Sequence, residues 1–223
     1  MQTDPVKIAV LFSGNGTNMQ SVIRQVKQGH INARIACVIS NQPGAYGLTR
    51  AQRVGIPTHV VAHNRYPSRE AFEKALIQIL ETYQVRAVIL AGFMRVLSEV
   101  FVNHYRYRIL NIHPSLLPKF PGLHTHRRAL DAKELRHGCS VHFVTTGLDE
   151  GPVIIQAEVP VFDTDNIGSL VKRVLVKEHV ILPLAVKWLC QGKLSCMDGM
   201  AYFDDSALEK PIRLIERHYK ELL

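Results

Sequence analysis

Lys7-Ile8-Ala9-Val10-Leu11-Phe12-Ser13-Gly14-Asn15-Gly16-Thr17-Asn18 carries the clearest indication of how this chain folds. The apolar run from Lys7 to Ser13 predicts a strand that is buried on both faces, because it shows no alternation with polar residues. A glycine-rich loop follows at once, and a helical pattern then runs from Asn18 to Gln28. A strand, a glycine-rich loop and a helix in direct succession are typical of the first unit of an α/β sheet.

Strands and helices continue to alternate through the first half of the chain. Further strands are predicted at Ala33–Ser40, Thr58–Ala62 and Arg86–Ala91, and helices at Leu48–Val54 and from the N-cap residue Ser68 to Gln84. The second half is predicted to contain strands at Gly138–Thr145 and Val153–Val161, a long helix over Ile167–Gln191 bent near Pro183, and an amphipathic helix over Leu208–Leu223. This order predicts a doubly wound, mostly parallel twisted sheet in a single domain spanning residues 1–223.

The glycine-rich loop itself is a candidate phosphate site. Glycines at positions 14 and 16 let the backbone approach a ligand, and the following helix offers free N–H groups and the positive end of its dipole. The spacing matches neither the dinucleotide fingerprint nor the nucleoside-triphosphate loop. A glycine-rich turn that serves only the strand-to-helix geometry is the alternative.

A second candidate site lies in Leu110-Asn111-Ile112-His113-Pro114. Residues two apart in a strand share a face, so Asn111 and His113 are expected to emerge side by side where the strand ends. An amide donor next to a titratable ring suits a reaction that develops an oxyanion beside a proton-transfer step. Taken alone, the motif is equally compatible with a simple His-Pro loop.

Two further segments are expected at the same edge of the sheet. The loop Leu148-Asp149-Glu150-Gly151-Pro152 follows a predicted strand, and a carboxylate beside an imidazole would orient the ring and favour its protonated form. Ala91-Gly92-Phe93-Met94-Arg95 also follows a strand. Ligands of open α/β sheets gather at the carboxyl ends of the strands. Three segments at one edge therefore favour a binding site over turns alone.

Length and composition bound the possible functions. With 223 residues, of which 47% are hydrophobic and 21% charged, the chain can bury a full core and has an ordinary globular composition. Its net charge of +8 is dispersed rather than clustered in runs, and small anionic ligands explain it as well as a nucleic acid would, so charge alone does not identify the partner. We expect small-molecule substrates and no nucleic-acid partner. We also expect no membrane span, no signal peptide and no metal, and a cytoplasmic protein whose four cysteines are reduced.

Four segments together resemble a known family. They are SGNGTN, AGFMR, NIHPSLLPKFPGLHTHRRAL and GCSVHFVTTGLDEGPVI, and in this order they are similar to phosphoribosylglycinamide formyltransferases from about Lys7 to about Trp188. The resemblance implies a formyltransferase-type, Rossmann-like fold. It also implies transfer of the formyl group of 10-formyltetrahydrofolate to the amine of glycinamide ribonucleotide in purine biosynthesis, by a monomer or weak homodimer.

The resemblance further implies which residues form the site. The catalytic residues of the family correspond to Asn111, His113 and Asp149. The ribonucleotide-binding residues correspond to Gly14, Asn15, Gly16, Thr17, Asn18 and Glu178. The folate-binding residues correspond to Arg69, Met94, Arg95, Val96, Leu97, Val144, Thr145, Thr146 and Gly147. The N-terminal half is thus expected to bind the ribonucleotide phosphate, and the C-terminal half to contribute to the folate site.

One position departs from the family pattern. Leu175 stands three residues before Glu178, where relatives carry a polar or basic residue, so we expect Arg173 or Lys177 to supply that contact if it is made. His142 alternates with apolar strand residues, and we interpret it as structural.

Three other functions are weighed against this one. A formyltetrahydrofolate hydrolase would share the three catalytic residues but would lack the phosphate loop and carry an extra N-terminal domain. A methionyl-tRNA formyltransferase would need a C-terminal RNA-binding domain, for which 223 residues leave no space. A non-catalytic nucleotide-binding module would use the glycine-rich loop but would have no need for a converging Asn, His and Asp.

Overall fold

The apolar run near the N-terminus forms the first strand of a parallel sheet. In the computed structural model, which describes residues 4–214, strand β1 spans Val6–Phe12, and its side chains from Ile8 onward are fully buried. Helix α1 spans Thr17–Lys27 and turns its apolar face, which includes Met19 and Val22, towards the core. Burial of every side chain from Ile8 to Phe12 is what an uninterrupted apolar sequence predicts for a strand covered on both faces.

The described chain divides into two compact units between Asn111 and Ile112. The first unit contains β1, α1, β2 (Ala33–Ser40), α2 (Tyr46–Gln52), β3 (Thr58–Val60), a 3-10 helix (His63–Arg65), α3 (Arg69–Thr82), β4 (Ala87–Leu90), α4 (Glu99–His104) and most of β5 (Ile109–His113). Its strands lie in the order β5-β4-β1-β2-β3, and every neighbouring pair is parallel. The carboxyl ends of β1 and β4 therefore lie at one edge, which brings the glycine-rich loop and the AGFMR segment to that edge.

The second unit begins within β5 and mixes parallel and antiparallel pairing. It contains α5 (Thr125–Asp131), β6 (Arg136–Phe143), β7 (Val153–Pro160), α6 (Ile167–Cys190), β8 (Leu194–Met197), β9 (Met200–Phe203), β10 (Ser206–Ala207) and β11 (Ile212–Arg213). Strands β6 and β7 are antiparallel, β11 is parallel to β7, and β8, β9 and β10 form a small antiparallel sheet. Helix α6 packs on β6 and β7 and continues through Pro183. The predicted mostly parallel α/β fold is confirmed.

The prediction of a C-terminal helix is wrong where the structure describes that segment. Residues Ile212 and Arg213 form β11, in which Ile212 pairs with Ile155 of β7. Pro211 precedes this strand, and proline disfavours helical backbone in the residue before it. The remainder of the predicted helix, residues 215–223, lies outside the described residues. The sequence patterns also missed the short helices α4 and α5 and the three strands of the small sheet.

Among residues 4–214, no helix combines the length and the apolar character needed to cross a membrane.

Candidate active site

Strand β5 ends in the predicted catalytic pair. Its sequence, ILNIH, alternates so that Asn111 and His113 lie on the same face, and Pro114 follows directly. Asn111 is the last residue of the first unit, and His113 lies in the second. The His113 side chain is only 6% exposed, so its charge state depends on the groups that contact it.

Both ring nitrogens of His113 have partners in the second unit. Nε2 lies 2.9 Å from the carbonyl oxygen of Phe120, and because a carbonyl can only accept, Nε2 carries a proton and donates it. Nδ1 lies 3.3 Å from Oδ2 of Asp149. The carboxylate of Asp149 therefore faces the ring nitrogen that is not bonded to Phe120.

Asp149 is held in place by its loop. Its Oδ2 accepts a hydrogen bond of 2.8 Å from the backbone N–H of Gly122, and its backbone is left-handed with φ of 55°. Asp tolerates this conformation better than most residues, at a cost of the order of 1 kcal/mol. Two residues on, a Cβ added to Gly151 would lie 1.7 Å from the carbonyl oxygen of Phe143. Close packing on the end of β6 thus fixes the loop that presents the carboxylate.

A second histidine faces the same carboxylate. His142 is 2% exposed, and its Nε2 lies 3.7 Å from Oδ1 of Asp149, while its Nδ1 donates a hydrogen bond of 2.8 Å to the carbonyl of Phe143. Burial lowers the pKa of His142 to about 4, although the Phe143 carbonyl and Asp149 oppose that shift. His142 is therefore neutral near pH 7. The interpretation of His142 as purely structural missed this contact, which its place at the end of a strand leading to Asp149 could have signalled.

The predicted folate residues of the second unit connect β6 to Asp149. Val144, Thr145 and Gly147 are half-buried, whereas Thr146 is exposed. All four lie shortly before Asp149 in the chain. A ligand contact in this segment would therefore lie close to that carboxylate.

The glycine-rich loop of the first unit has the features of an anion site. Gly16 occupies the N-cap position of α1 with φ of 68°, and no side chain caps this helix. The first N–H groups of a helix and its dipole favour an anion at such an end. A Cβ added to Gly14 would meet nothing within 4 Å, whereas one added to Gly16 would lie 2.8 Å from the Cα of Gly47. Gly14 thus leaves open space beside the loop, and Gly16 is required by the backbone.

The other predicted folate residues of the first unit lie at its surface. Arg69 is the first residue of α3 and is exposed. Met94 and Val96 are 62% and 52% exposed, Arg95 is exposed as well, and Leu97 is buried. Exposed apolar side chains in a loop at the carboxyl edge of a parallel sheet are suited to contact an aromatic ligand.

Glu178 lies on α6 of the second unit and is 7% exposed, so it is not a solvated surface residue. Leu175 is half-buried one turn earlier. Arg173 is held by two hydrogen bonds to Asp165, at 2.6 and 2.8 Å, and by one to the carbonyl of Pro160. These contacts hold its guanidinium beside Asp165, and the expectation that Arg173 or Lys177 supplies the contact missing at Leu175 stays a prediction.

Within residues 4–214, no group of three or more His, Cys, Asp or Glu side chains is arranged to hold a metal ion. Two of the histidines in this part of the chain bind each other instead, since Nε2 of His137 lies 3.2 Å from Nδ1 of His126.

Comparison with known proteins agrees with this geometry. A profile of the formyl transferase family matches residues 6–186. The chain belongs to the formyl transferase family. It is 48% identical over 203 residues to phosphoribosylglycinamide formyltransferase of Escherichia coli K12. The matched stretch covers 91% of this chain and 96% of that protein. The enzyme of the same name from Haemophilus influenzae is 43% identical over 204 residues, 92% of this chain and 96% of that protein.

Solved structures give the same result. Phosphoribosylglycinamide formyltransferase of Coxiella burnetii, solved in complex with CHES, superposes with a TM-score of 0.90 at 45% identity and covers 95% of this chain and 100% of its own. Glycinamide ribonucleotide transformylase 1 of Symbiobacterium toebii superposes with a TM-score of 0.88 at 44% identity and covers 91% and 95% of the two chains. The similarity thus extends over nearly the whole length of each protein.

Proposed function

We propose that this chain transfers the formyl group of 10-formyltetrahydrofolate to the amine of glycinamide ribonucleotide, giving formylglycinamide ribonucleotide and tetrahydrofolate in de novo purine biosynthesis. The observation that carries the proposal is the buried pair of His113 and Asp149, 3.3 Å apart, at the end of the strand that also bears Asn111. The similarity over almost the full length to enzymes of this name supports the choice of substrates.

The geometry supports a stepwise acyl transfer. The amine nitrogen of the ribonucleotide attacks the formyl carbon, and the carbonyl electron pair moves to oxygen. Asn111 and protonated His113 stabilise this oxyanion, and one such donor typically contributes about 2.7–4 kcal/mol. Collapse of the intermediate breaks the bond to N10 of the folate, which takes up a proton, while the former amine loses one through water positioned by Asp149.

His113 must exchange one contact to act as a donor. Its Nε2–H is bonded to the Phe120 carbonyl, and its Nδ1 faces Asp149. Hydrogen bonds of catalytic groups without substrate often rearrange when the substrate binds. The Phe120 carbonyl then loses its bond from Nε2, because the Ser115 hydroxyl, 3.3 Å away, donates its proton at 2.6 Å to the Lys119 carbonyl.

Each predicted binding residue has a role in this proposal. The N–H groups of Gly14 to Asn18 bind the ribonucleotide phosphate, and Glu178 binds its glycinamide part. Arg69, residues 94–97 and residues 144–147 contact the folate. No metal takes part. The enzyme acts in the cytoplasm as a monomer or weak homodimer, and sedimentation velocity over a range of protein concentrations measures that state.

The test is an assay for loss of 10-formyltetrahydrofolate with and without glycinamide ribonucleotide. Turnover that requires the ribonucleotide and yields its formyl derivative is the expected result. Turnover independent of the ribonucleotide would instead indicate a formyltetrahydrofolate hydrolase. Binding of the ribonucleotide without turnover would indicate a nucleotide-binding module.

A further inference from the structure

The loop after β4 is held from both of its ends by side chains that lie outside it. It comprises Met94 to Ser98, and we call it the 94–98 segment. Its middle is exposed, since Met94 and Val96 are 62% and 52% accessible, whereas Leu97 and Ser98 are buried. Exposed apolar side chains on a loop become ordered only when the backbone beneath them is fixed, because ordering a loop costs conformational entropy.

Ser13 fixes the first end. The backbone N–H of Met94 donates a hydrogen bond of 2.8 Å to the Ser13 hydroxyl, and the N–H of Ser13 donates one of 2.9 Å to the Gly92 carbonyl. The Ser13 hydroxyl donates its own proton to Oδ1 of Asn41 at 2.6 Å, so its lone pair is directed at Met94. The amide of Asn41 in turn lies 3.3 Å from Nδ1 of His63. Ser13 is thus held in one orientation as an acceptor.

Glu73 fixes the second end. This residue of α3 is 1% exposed, and its carboxylate accepts a hydrogen bond of 2.7 Å from the backbone N–H of Ser98 and a second from the Ser98 hydroxyl. Within the part of the chain that the structure describes, Glu73 makes no ion pair. Ser98 is the N-cap residue of α4, yet its hydroxyl does not cap that helix.

A buried carboxylate such as Glu73, with no ion pair among the described residues, is unusual if its only role is to stabilise the fold. Burying such a charge is unfavourable unless hydrogen bonds compensate, and an apolar side chain of similar size would fill the same space without that cost. What Glu73 adds is a fixed position for Ser98, which lies 25 residues away in sequence. The carboxylate therefore fits a role in holding the loop.

We propose that Ser13 and Glu73 are positioning residues that hold the 94–98 segment, from its two ends, in the conformation that binds the folate co-substrate. The proposal rests on the proposed function, since it takes residues 94–97 as folate contacts. A binding loop that is ordered before the ligand arrives does not have to be ordered at the expense of affinity.

The test measures the affinity of tetrahydrofolate by calorimetry in Ser13→Ala and Ser98→Ala. Each variant removes one hydroxyl anchor, and Ser98→Ala keeps the backbone N–H bond to Glu73, so the fold is preserved. Loss of one hydrogen bond predicts affinity weaker by at least about 3-fold in each variant. Ser98→Thr restores a hydroxyl and should recover the affinity. The affinity for glycinamide ribonucleotide should change by less than about twofold in Ser98→Ala, which alters no residue of the glycine-rich loop.

A matched control separates positioning from general loss of stability. Asn166→Ala removes the N-cap of α6 in the other unit, and it should lower the melting temperature without changing tetrahydrofolate affinity. In the double variant Ser13→Ala with Ser98→Ala, the fold-loss of tetrahydrofolate affinity should differ from the product of the fold-losses in the two single variants, because both anchors act on one segment. Glu73→Gln keeps one acceptor for Ser98 and should weaken affinity less than Glu73→Ala.

Two negative results have different meanings. If wild-type protein binds tetrahydrofolate and both serine variants bind it equally well, the positioning role is overturned and the proposed function stands. The same follows if Asn166→Ala weakens binding as much as they do. If wild-type protein does not bind tetrahydrofolate at all, the proposed function fails and the positioning role fails with it.

Discussion

At the scale of single residues, the proposed chemistry depends on His113 and its two partners. The Phe120 carbonyl fixes a proton on Nε2, and Asp149 faces the other ring nitrogen. His142, although it faces the same carboxylate, stays neutral near pH 7 because burial lowers its pKa to about 4.

His113→Ala should lower kcat by at least about 100-fold, the usual effect of losing a general acid–base group, with little change in folate affinity. His104→Ala is a suitable control, because His104 is a partly exposed histidine that pairs with Glu81 on the surface of the first unit. Steady-state kinetics of both variants decide the matter. A near-normal kcat for His113→Ala would remove that residue from the mechanism.

Asp149→Asn keeps the shape of the side chain and an acceptor for the Gly122 N–H but withdraws the negative charge beside Nδ1 of His113. The imidazolium form is then less favoured, so the limb of the kcat profile that falls as His113 loses its proton should move to lower pH. The profile is measured with saturating substrates between pH 5 and 9, a range of about two units around the ordinary His value. An unmoved limb would leave Asp149 as a turn residue.

At the scale of elements, loops and helix ends place the groups that the strands support. The glycine-rich loop joins β1 to α1, and its two glycines have different tasks. Gly14 has open space beside it, whereas the backbone of Gly16 is left-handed and a Cβ added there would lie 2.8 Å from the Cα of Gly47. Variants of the two positions should therefore separate binding from folding.

Gly14→Ala should weaken glycinamide ribonucleotide binding, because a methyl group occupies space beside the phosphate, while the melting temperature and folate affinity stay about the same. Gly16→Ala should instead destabilise the fold by roughly 1–2 kcal/mol, from left-handed backbone and the contact with Gly47. Calorimetry and thermal unfolding test both. Equal loss of both ligands in Gly14→Ala would indicate misfolding rather than a phosphate contact.

Helix α6 carries Glu178, the carboxylate proposed to bind the ribonucleotide. Glu178→Gln keeps the size of a residue that is 7% exposed but removes its charge, so KM for glycinamide ribonucleotide should rise while KM for folate barely moves. Glu158→Gln, which removes a carboxylate paired at the surface with Arg136, is the control. Kinetics with each substrate varied in turn measure both constants. If KM for the ribonucleotide does not change, Glu178 has no role in binding it.

At the scale of the whole molecule, buried neutral histidines make the free energy of unfolding depend on pH in the acid range. Burial lowers the pKa of both His137 and His142 to about 4, below the ordinary value of about 6.5. As pH falls below about 6.5, these two histidines bind protons in the unfolded chain but stay neutral in the folded chain. The free energy of unfolding therefore decreases until about pH 4. The stabilisation is fully present only above the ordinary value.

Urea unfolding at several pH values between 7 and 4 should therefore show a steady loss of stability. His137→Gln removes one of the two buried rings and should flatten that dependence relative to wild type, even if it lowers stability at pH 7. His30→Gln, which changes a half-buried histidine near the surface, should leave the slope as it is. Parallel curves for wild type and His137→Gln would contradict this account.

Local patterns explain why much of the fold was predictable. Apolar runs such as Ile8 to Phe12 mark strands covered on both faces, and the long helix α6 begins and ends within one residue of its predicted bounds. The predicted helix over Leu208–Leu223 was wrong in its described part because Ile212 pairs with Ile155, a distant residue that no local periodicity reveals. Short elements such as α4 and α5 carry too few turns to show a period.

The strand, glycine-rich loop and helix at the start of the chain, and the shared face of Asn111 and His113, could be predicted because they follow from neighbours along the chain. Three other features emerge only in the folded chain: Asp149 faces Nδ1 of His113, His142 is neutral beside it, and Glu73 holds Ser98. These contacts join residues far apart in sequence. Their geometry and burial arise when strands and helices pack, so local periodicity in the sequence does not reveal them.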